Sequence, residues 1–345
     1  MQYKAEIEKI KAHYGEDLII LAHYYQRDEV FNLAGISGDS YKLAVEASRT
    51  KAKYIVFCGV LFMAESSRIL AREEQKVYLP DFDAGCPLAD MIDLNDFERA
   101  YNQLYSMWKD DLVPIVYVNS SASIKAAVGK RQGLTCTSSN AVPIIRSHIE
   151  SGKKVFFIPD KNLGINTARL LKLSDDEVLI FSPKNRENQV SSHIKLVVWP
   201  GFCYVHNNFS IIDVRKAKIQ YPYCKILVHP ECPPDVVDAA DFCGSTSQII
   251  NQVKKASVGE VLYIGTEFNL VNRLSQKLDN ITVFPLKRSG CVNMSKITLQ
   301  KLYFTLKKLI DFQNEHEVVV NRDIKKDAKK ALRRMIEFVE KEKNK

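Results

Sequence analysis

Three cysteines, Cys86, Cys203 and Cys291, each follow a glycine within two residues, in the strings Asp83-Ala84-Gly85-Cys86-Pro87, Trp199-Pro200-Gly201-Phe202-Cys203 and Ser289-Gly290-Cys291. Turns of that kind can aim sulfur into a cavity. Each cysteine also lies just beyond a short β-like run that closes one of three look-alike stretches of chain, so all three can converge where the stretches meet. A four-iron cubane takes one thiolate per iron, so three cysteines would leave the fourth iron free for an oxygen or nitrogen of a substrate. An open iron is a Lewis acid, which points to an enzyme. Zinc is the competing metal, but the paired Cys-x-x-Cys spacing of a strong zinc site is missing. The Cys-x3-Cys-x2-Cys run of radical-type clusters is missing too.

The other cysteines have plainer readings. Cys58 ends a strand-like run and reads as a small core residue. Cys136 and Cys243 sit at the mouths of hydroxyl-rich turns, where packing is the simpler account. Cys224 and Cys232 flank a short apolar run, and Cys232 is the one most easily mistaken for a ligand.

The elements that must position the three sulfurs repeat in outline. Helical stretches at Gln2 to Tyr14, Leu94 to Trp108 and Ile212 to Tyr221 lead into apolar runs at Leu18 to Ala22, Pro114 to Val118 and Lys225 to Val228, of the length expected for buried parallel strands. Polar residues close those runs: His23 and Tyr25, Tyr117 and Asn119, His229 and Glu231. Parallel sheets bind ligands at that carboxyl edge. Next come Gly38-Asp39-Ser40, Cys136-Thr137-Ser138-Ser139 and Cys243-Gly244-Ser245-Thr246, hydroxyl-rich turns ahead of helical segments, where free backbone N–H groups make a cradle for phosphate or carboxylate. Asp39 and Asp241 have a plainer role open to them as helix caps.

Second strands are expected at Tyr54 to Cys58, Lys154 to Ile158 and Val261 to Ile264, and last strands near Val77 to Leu79, Leu196 to Trp199 and Thr282 to Phe284. Strand and helix alternating in this way predict an α/β protein, a pseudo-threefold arrangement of three small three-layer α/β/α domains with parallel sheets and an active site at their central junction. The expected boundaries are 1–93 (with Cys86), 94–210 (with Cys203), 211–300 (with Cys291) and a helical tail, 301–345, packed on the body. His206, three residues after Cys203, is read as a donor behind the site or as a substrate contact.

The chain has 345 residues, 46% of them hydrophobic, enough to bury sizeable cores, and no apolar run of membrane-spanning length. Met1 to Asp17 lacks the layout of a secretory signal, and eight cysteines without dense short spacings suit reduced thiols; both point to the cytoplasm. Part of the net charge of +8 lies in the tail, where Leu332, Ile336 and Val339 recur at helical spacing, so a solvated amphipathic helix is preferred to a nucleic-acid patch. The rest of the positive excess suits an anionic small substrate.

Several strings together resemble the quinolinate synthase family: Ala22-His23-Tyr24-Tyr25-Gln26, Gly38-Asp39-Ser40, Cys58-Gly59-Val60-Leu61-Phe62-Met63-Ala64-Glu65, Ala84-Gly85-Cys86-Pro87-Leu88-Ala89, Tyr117-Val118-Asn119-Ser120, Cys136-Thr137-Ser138-Ser139-Asn140-Ala141, Trp199-Pro200-Gly201-Phe202-Cys203, His229-Pro230-Glu231-Cys232-Pro233 and Gly265-Thr266-Glu267. The resemblance runs from about Ala22 to Leu299. It implies a trefoil of α/β domains around a 4Fe-4S cluster held by Cys86, Cys203 and Cys291. It also implies condensation of iminoaspartate with dihydroxyacetone phosphate to quinolinate, with loss of phosphate and two waters, in NAD biosynthesis.

By the same resemblance, His23 and Tyr25 handle the triose phosphate and its isomerisation, while Tyr117 and Asn119 orient the condensing intermediate. Glu231, beside His229, is the acid-base residue, and Ser40, Ser138, Ser245 and Thr246 hold carboxylates or phosphate. An aspartate oxidase or dehydrogenase would supply iminoaspartate, and iron-sulfur assembly machinery the cluster; no nucleic-acid or membrane partner is implied. Some members carry a Cys-x2-Cys-x2-Cys run at the last ligand, whereas this chain has Cys291, Met294 and Ile297, which argues against a thiol-disulfide switch there. The alternatives are another three-cysteine cluster enzyme, such as the reductive dehydratase of isoprenoid synthesis or a diphthamide-forming protein, or a non-catalytic zinc or nucleic-acid-binding module.

Overall fold

In a computed structural model describing residues 2–183, 190–277, 280–311 and 313–344, the chain forms three parallel sheets built on one order of elements. The first stretch runs α1 (Gln2–Tyr14), β1 (Leu18–His23), α2 (Asp28–Phe31), β2 (Ile36–Gly38), α3 (Ser40–Arg49), β3 (Tyr54–Cys58), α4 (Leu61–Leu70) and β4 (Lys76–Tyr78). The second runs α5 (Leu94–Trp108), β5 (Leu112–Tyr117), α6 (Ala122–Lys130), β6 (Leu134–Cys136), α7 (Ala141–Glu150), β7 (Lys154–Ile158), α8 (Lys161–Leu170), β8 (Val178–Ile180) and β9 (Leu196–Val198). The third runs α9 (Ile211–Gln220), β10 (Lys225–Val228), α10 (Pro234–Asp238), β11 (Phe242–Cys243), α11 (Thr246–Lys254), β12 (Val261–Gly265), α12 (Phe268–Lys277) and β13 (Thr282–Pro285).

Strand orders are β2-β1-β3-β4, β6-β5-β7-β9-β8 and β11-β10-β12-β13. Each sheet thus places its first strand beside its second and third, and a helix lies in each of those two crossovers. The central strands are buried apolar runs such as Ile20-Leu21-Ala22, Ile115-Val116 and Ile226-Leu227-Val228, as sheets covered on both faces require. The register makes the three sheets superposable along the chain: Ala22 pairs with Cys58, Val116 with Ile158 and Val228 with Gly265. By that register His23, Tyr117 and His229 occupy one position, and Tyr25, Asn119 and Glu231 another.

The α/β class and its parallel sheets follow the sequence reading, with differences in detail. The hydroxyl-rich turns carry short edge strands, β2, β6 and β11, too brief to leave a period-2 pattern. The second sheet gains β8 outside β9. Asp39 caps α3 by accepting from the Lys42 amide at 2.9 Å, whereas Asp241 accepts from the Ile226 amide at 2.7 Å and braces β10 instead of capping a helix.

After the third sheet, α13 (Leu299–Ile310) lies against α1, and α14 (Arg322–Lys343) lies along α6 and β6. The α14 face that packs is Ala328, Ala331, Leu332 and Met335, all buried. Gly129 permits this approach, since a Cβ there would stand 2.0 Å from the Asp327 carbonyl oxygen. Arg334 donates to the Gly133 carbonyl at 2.7 Å, and the buried Lys325 pairs with Glu73 at 2.8 Å, tying the tail to the first unit also. The basic residues of the tail thus frame a docked helix. Among the described residues no helix is long and apolar enough to cross a membrane.

Candidate active site

The carboxyl ends of the three sheets and the loops that carry the cysteines enclose one cavity. Its lining includes Cys86, Cys203 and Cys291, with His23, Tyr25 and Ser40 from the first unit. Tyr117, Asn119, Ser138 and His206 come from the second, and His229, Glu231 and Thr246 from the third. Ser245, expected to bind substrate, is absent from the lining. It is buried at the N-cap of α11, its hydroxyl accepting from the Gln248 amide at 3.4 Å. Register explains this: Ser245 occupies the capping position filled by Asp39 in the first unit, and Thr246 the cavity-facing position of Ser40 and Ser138.

The cysteine loops are anchored identically. The amides of Leu61, Lys161 and Phe268 each donate at 2.8 Å to the carbonyl two residues before a cysteine, on Ala84, Gly201 and Ser289. Backbone N–H groups of Ala89, His206 and Met294, each three residues after a cysteine, point at the sulfurs. Tyr204 adds its hydroxyl at 3.5 Å from Cys291 Sγ. All eight cysteines are free thiols.

Burial pushes the Cys86 thiol up to about 12, aided by the nearby Cys291 and Glu231, and raises those of Cys203 and Cys291 as well. Such thiols ionise only when a cation compensates the charge. Three soft donors from three loops around one cavity, each with N–H groups aimed at its sulfur, fit an iron-sulfur cluster with three protein ligands.

Among the described residues Cys203, His206 and Glu231 also come together as a possible metal-binding group, with ligand atoms within 4.8 Å of one another. Their closeness has another cause. His206 Nδ1 lies 2.7 Å from Glu231 Oε2, and the Tyr117 hydroxyl donates to Oε1, so both carboxylate oxygens are taken.

That carboxylate starts a network through all three units. His206 Nε2 lies 3.1 Å from Thr266 Oγ1; the Thr266 hydroxyl lies 2.9 Å from the Tyr25 hydroxyl, which reaches Thr246 Oγ1 at 2.9 Å. Burial pushes the Glu231 carboxyl up, but His206 and the hydrogen bonds from His206 and Tyr117 outweigh it and hold its pKa below the usual range, so the group is ionised. Burial raises the pKa of Tyr25 and Tyr117 well above the ordinary phenol value, keeping both as neutral donors.

His23 and His229 are buried, and burial lowers each to about 3, so both are neutral imidazoles. In each, Nδ1 accepts the amide two residues on, Tyr25 at 3.2 Å and Glu231 at 3.3 Å. The ring proton therefore sits on Nε2, which becomes a neutral donor. The His229 ring stacks on His206 at 4.2 Å.

Sequence reasoning misses Thr266, although Gly265-Thr266-Glu267 is among the strings that carry the family resemblance; its position two residues before the α12 start is the available signal. Nor does it find Asn162, Asn166, Asn269 and Arg273, whose bonds to the carbonyls of Glu231, Pro230, Tyr25 and Tyr24 span more than 60 residues and leave no local pattern.

Parallel sheets that aim titratable side chains and a cysteine trio at one shared cavity define an enzyme assembled from three like units. The family model described as "NadA: Quinolinate synthetase A protein" matches residues 5–337. Quinolinate synthase of Geobacillus sp. (strain WCH70) is 41% identical over 97% of this chain and 93% of its own length. That of Corynebacterium glutamicum is 40% identical over 96% and 86%, and that of Listeria monocytogenes serovar 1/2a is 38% identical over 97% and 93%. The chain belongs to the quinolinate synthase A family. A solved reductase, E-1-hydroxy-2-methyl-but-2-enyl-4-diphosphate reductase from Plasmodium falciparum, covers 98% of this chain and 94% of its own at 12% identity and a TM-score of 0.29, too slight a likeness to carry an argument.

Proposed function

We propose that the enzyme condenses iminoaspartate with dihydroxyacetone phosphate to quinolinate, releasing phosphate and two waters, as a step of NAD biosynthesis. The balance is redox-neutral, so no electron donor is required, unlike in a reductive dehydratase. The observation that carries this reading is the cysteine trio facing the Tyr117–Glu231–His206–Thr266–Tyr25 network across one cavity.

Cys86, Cys203 and Cys291 would hold a 4Fe-4S cluster. When bound, it supplies a Lewis acid that makes a substrate hydroxyl a better leaving group. The remaining chemistry falls to side chains. Ser40 and Thr246, at the starts of α3 and α11, and Ser138, in the turn ahead of α7, hold the carboxylates and phosphate, and the cavity lining includes no lysine or arginine among the described residues. Hydroxyls and amides thus bind the anions without locking a product in place.

The Nε2–H of His23 and that of His229 orient substrate oxygens. Tyr25, a neutral donor, supports the carbonyl oxygen of the triose as it is isomerised. Ionised Glu231 takes a proton from carbon or hydroxyl within hydrogen-bond reach, and its bonds to Tyr117 and His206 let the proton move on instead of resting on a carboxylate that holds it weakly. Asn119, whose buried Oδ1 has no partner in the protein, is placed to accept from the condensing intermediate. An oxidase or dehydrogenase acting on aspartate would supply the unstable imine.

The test is anaerobic purification with iron and sulfide analysis, followed by assay of quinolinate from iminoaspartate and dihydroxyacetone phosphate. Iron and sulfide near four each per chain with quinolinate formed is the expected result. Zinc without sulfide, or iron-loaded protein that forms no quinolinate, would overturn the reading.

A further inference from the structure

The loops that carry Tyr25 and Glu231 are held from outside, by helices of neighbouring units, and the same bracket is built twice. In the second unit Asp160 caps α8. Two residues on, Asn162 donates from Nδ2 to the Glu231 carbonyl at 3.1 Å, and four further on Asn166 donates to the carbonyls of Pro230 at 2.8 Å and Cys232 at 2.9 Å. In the third unit Glu267 precedes α12. Two residues on, Asn269 donates from Nδ2 to the Tyr25 carbonyl at 3.1 Å, and four further on Arg273 donates to the carbonyls of Tyr24 at 2.9 Å and Gln26 at 2.5 Å. The offsets from the helix start agree, and so do the carbonyls: the reacting residue and its two flanking neighbours. A spacing of four puts both donors on one helical face.

Three consecutive carbonyls beyond a strand end have no sheet partners, and buried ones must find others. Side chains could have come from the loop's own unit. They come instead from the unit across the boundary, and Asn162, Asn166 and Arg273 are buried to do so. Arg273 is fixed further by Asp28 at 2.5 Å and by stacking 3.8 Å from the Phe31 ring. Asn269 Nδ2 also lies 3.2 Å from Glu267 Oε1, which accepts from the Cys291 amide at 3.2 Å. Hydrogen bonds therefore run from a cluster-ligand loop to the Tyr25 backbone.

The third boundary lacks the device. The matching α4 positions are Phe62 and Ser66, and Ser66 donates to the Phe62 carbonyl of its own helix at 2.7 Å. The second unit's loop has its Ser120 carbonyl bonded by Lys125 of the same unit.

We infer that Asn162 and Asn166, and likewise Asn269 and Arg273, are positioning residues that set the orientation of Glu231 and of Tyr25 from across a unit boundary. The inference rests on the quinolinate synthase reading of this cavity. A reacting group displaced by about 1 Å can cost on the order of 10²-fold in rate.

The test uses cluster-loaded wild type with Asn162→Ala, Asn269→Ala, Arg273→Ala and Arg273→Lys. Expected are kcat values lower by about 10- to 100-fold in the alanine variants, KM within about threefold, and iron and sulfide per chain equal to wild type. Arg273→Lys, which retains a donor, should recover part of the loss, and it carries the test for that position if Arg273→Ala does not fold. Unchanged kcat, or loss of kcat only in proportion to lost iron, overturns the inference. Crystal structures of wild type and Asn162→Ala judge it independently of turnover: a displaced Glu231 carboxylate supports it and an unmoved one refutes it. Wild type that makes no quinolinate would sink the functional reading while leaving that structural comparison intact.

Discussion

The loops that follow β1 and β10 share a backbone and differ in charge. In both, a buried neutral histidine accepts the amide two residues on through Nδ1, and an asparagine from the next unit holds the carbonyl of the same residue. That residue is Tyr25 in one loop and Glu231 in the other. Tyr25 is surrounded by hydroxyls and stays a neutral donor. Glu231 faces His206 and Tyr117 and is ionised. The repeated framework thus supplies geometry, while the partners supply the protonation state. One cavity can then offer a proton acceptor on one side and donors on the other.

The largest effect tests what both loops presuppose, a common centre. Cys86→Ser, Cys203→Ser and Cys291→Ser should each abolish the visible absorption of the cluster and quinolinate formation, while Cys224→Ser, buried behind β10 away from the cavity, leaves both largely intact. A ligand variant that kept a full cluster would break the comparison at its root.

Next comes the difference in charge. Glu231→Gln should retain iron and lose about 10²- to 10⁴-fold in turnover, the range of a positioned acid-base group. Tyr25→Phe should lose about 10- to 100-fold, as expected for one oxyanion donor or less. Equal losses in steady-state assays would mean that the two loops do one job.

Acidification sharpens the likeness. His23 and His229 fall from 6.5 to about 3 in the fold, so the unfolded chain binds protons first as pH drops below 6.5. Stability should decline from there toward pH 3, by up to about 1.4 kcal/mol per pH unit for each histidine. Glu231, depressed from 4.5, adds to the decline below that value. Urea midpoints of cluster-free protein at pH 7.5 and 5.5 measure it, and a higher midpoint at pH 5.5 would contradict neutral histidines.

The smallest effect concerns the bridge between the two sides. Thr266→Val removes the hydroxyl shared by Tyr25 and His206 and should lower kcat by about three- to tenfold, the size of one net hydrogen bond. No change in kcat would mean that the two sides act separately.

Much of this was legible in the sequence. Apolar runs such as Leu18 to Ala22 mark buried parallel strands because both faces are covered, and the glycine-cysteine turns mark the three cysteines of the cavity by recurrence at the same place in each unit. Short edge strands such as β11 were not legible, since two residues show no period. Nor was the difference between Ser245 and Thr246, both expected to hold substrate, where one step along a helix start separates a cap from a cavity wall.

By itself the sequence determined which residue types are present, the alternation of strand and helix, and the order in which His23, Tyr25, Glu231 and the cysteines arrive, because these rest on local periodicity and turn chemistry. Only the tertiary structure decided that Glu231 is ionised, that His23 and His229 are neutral, and that Asn162 and Arg273 serve loops of other units. Protonation states depend on burial and on through-space neighbours, and hydrogen bonds between residues far apart in the chain have no signature along it.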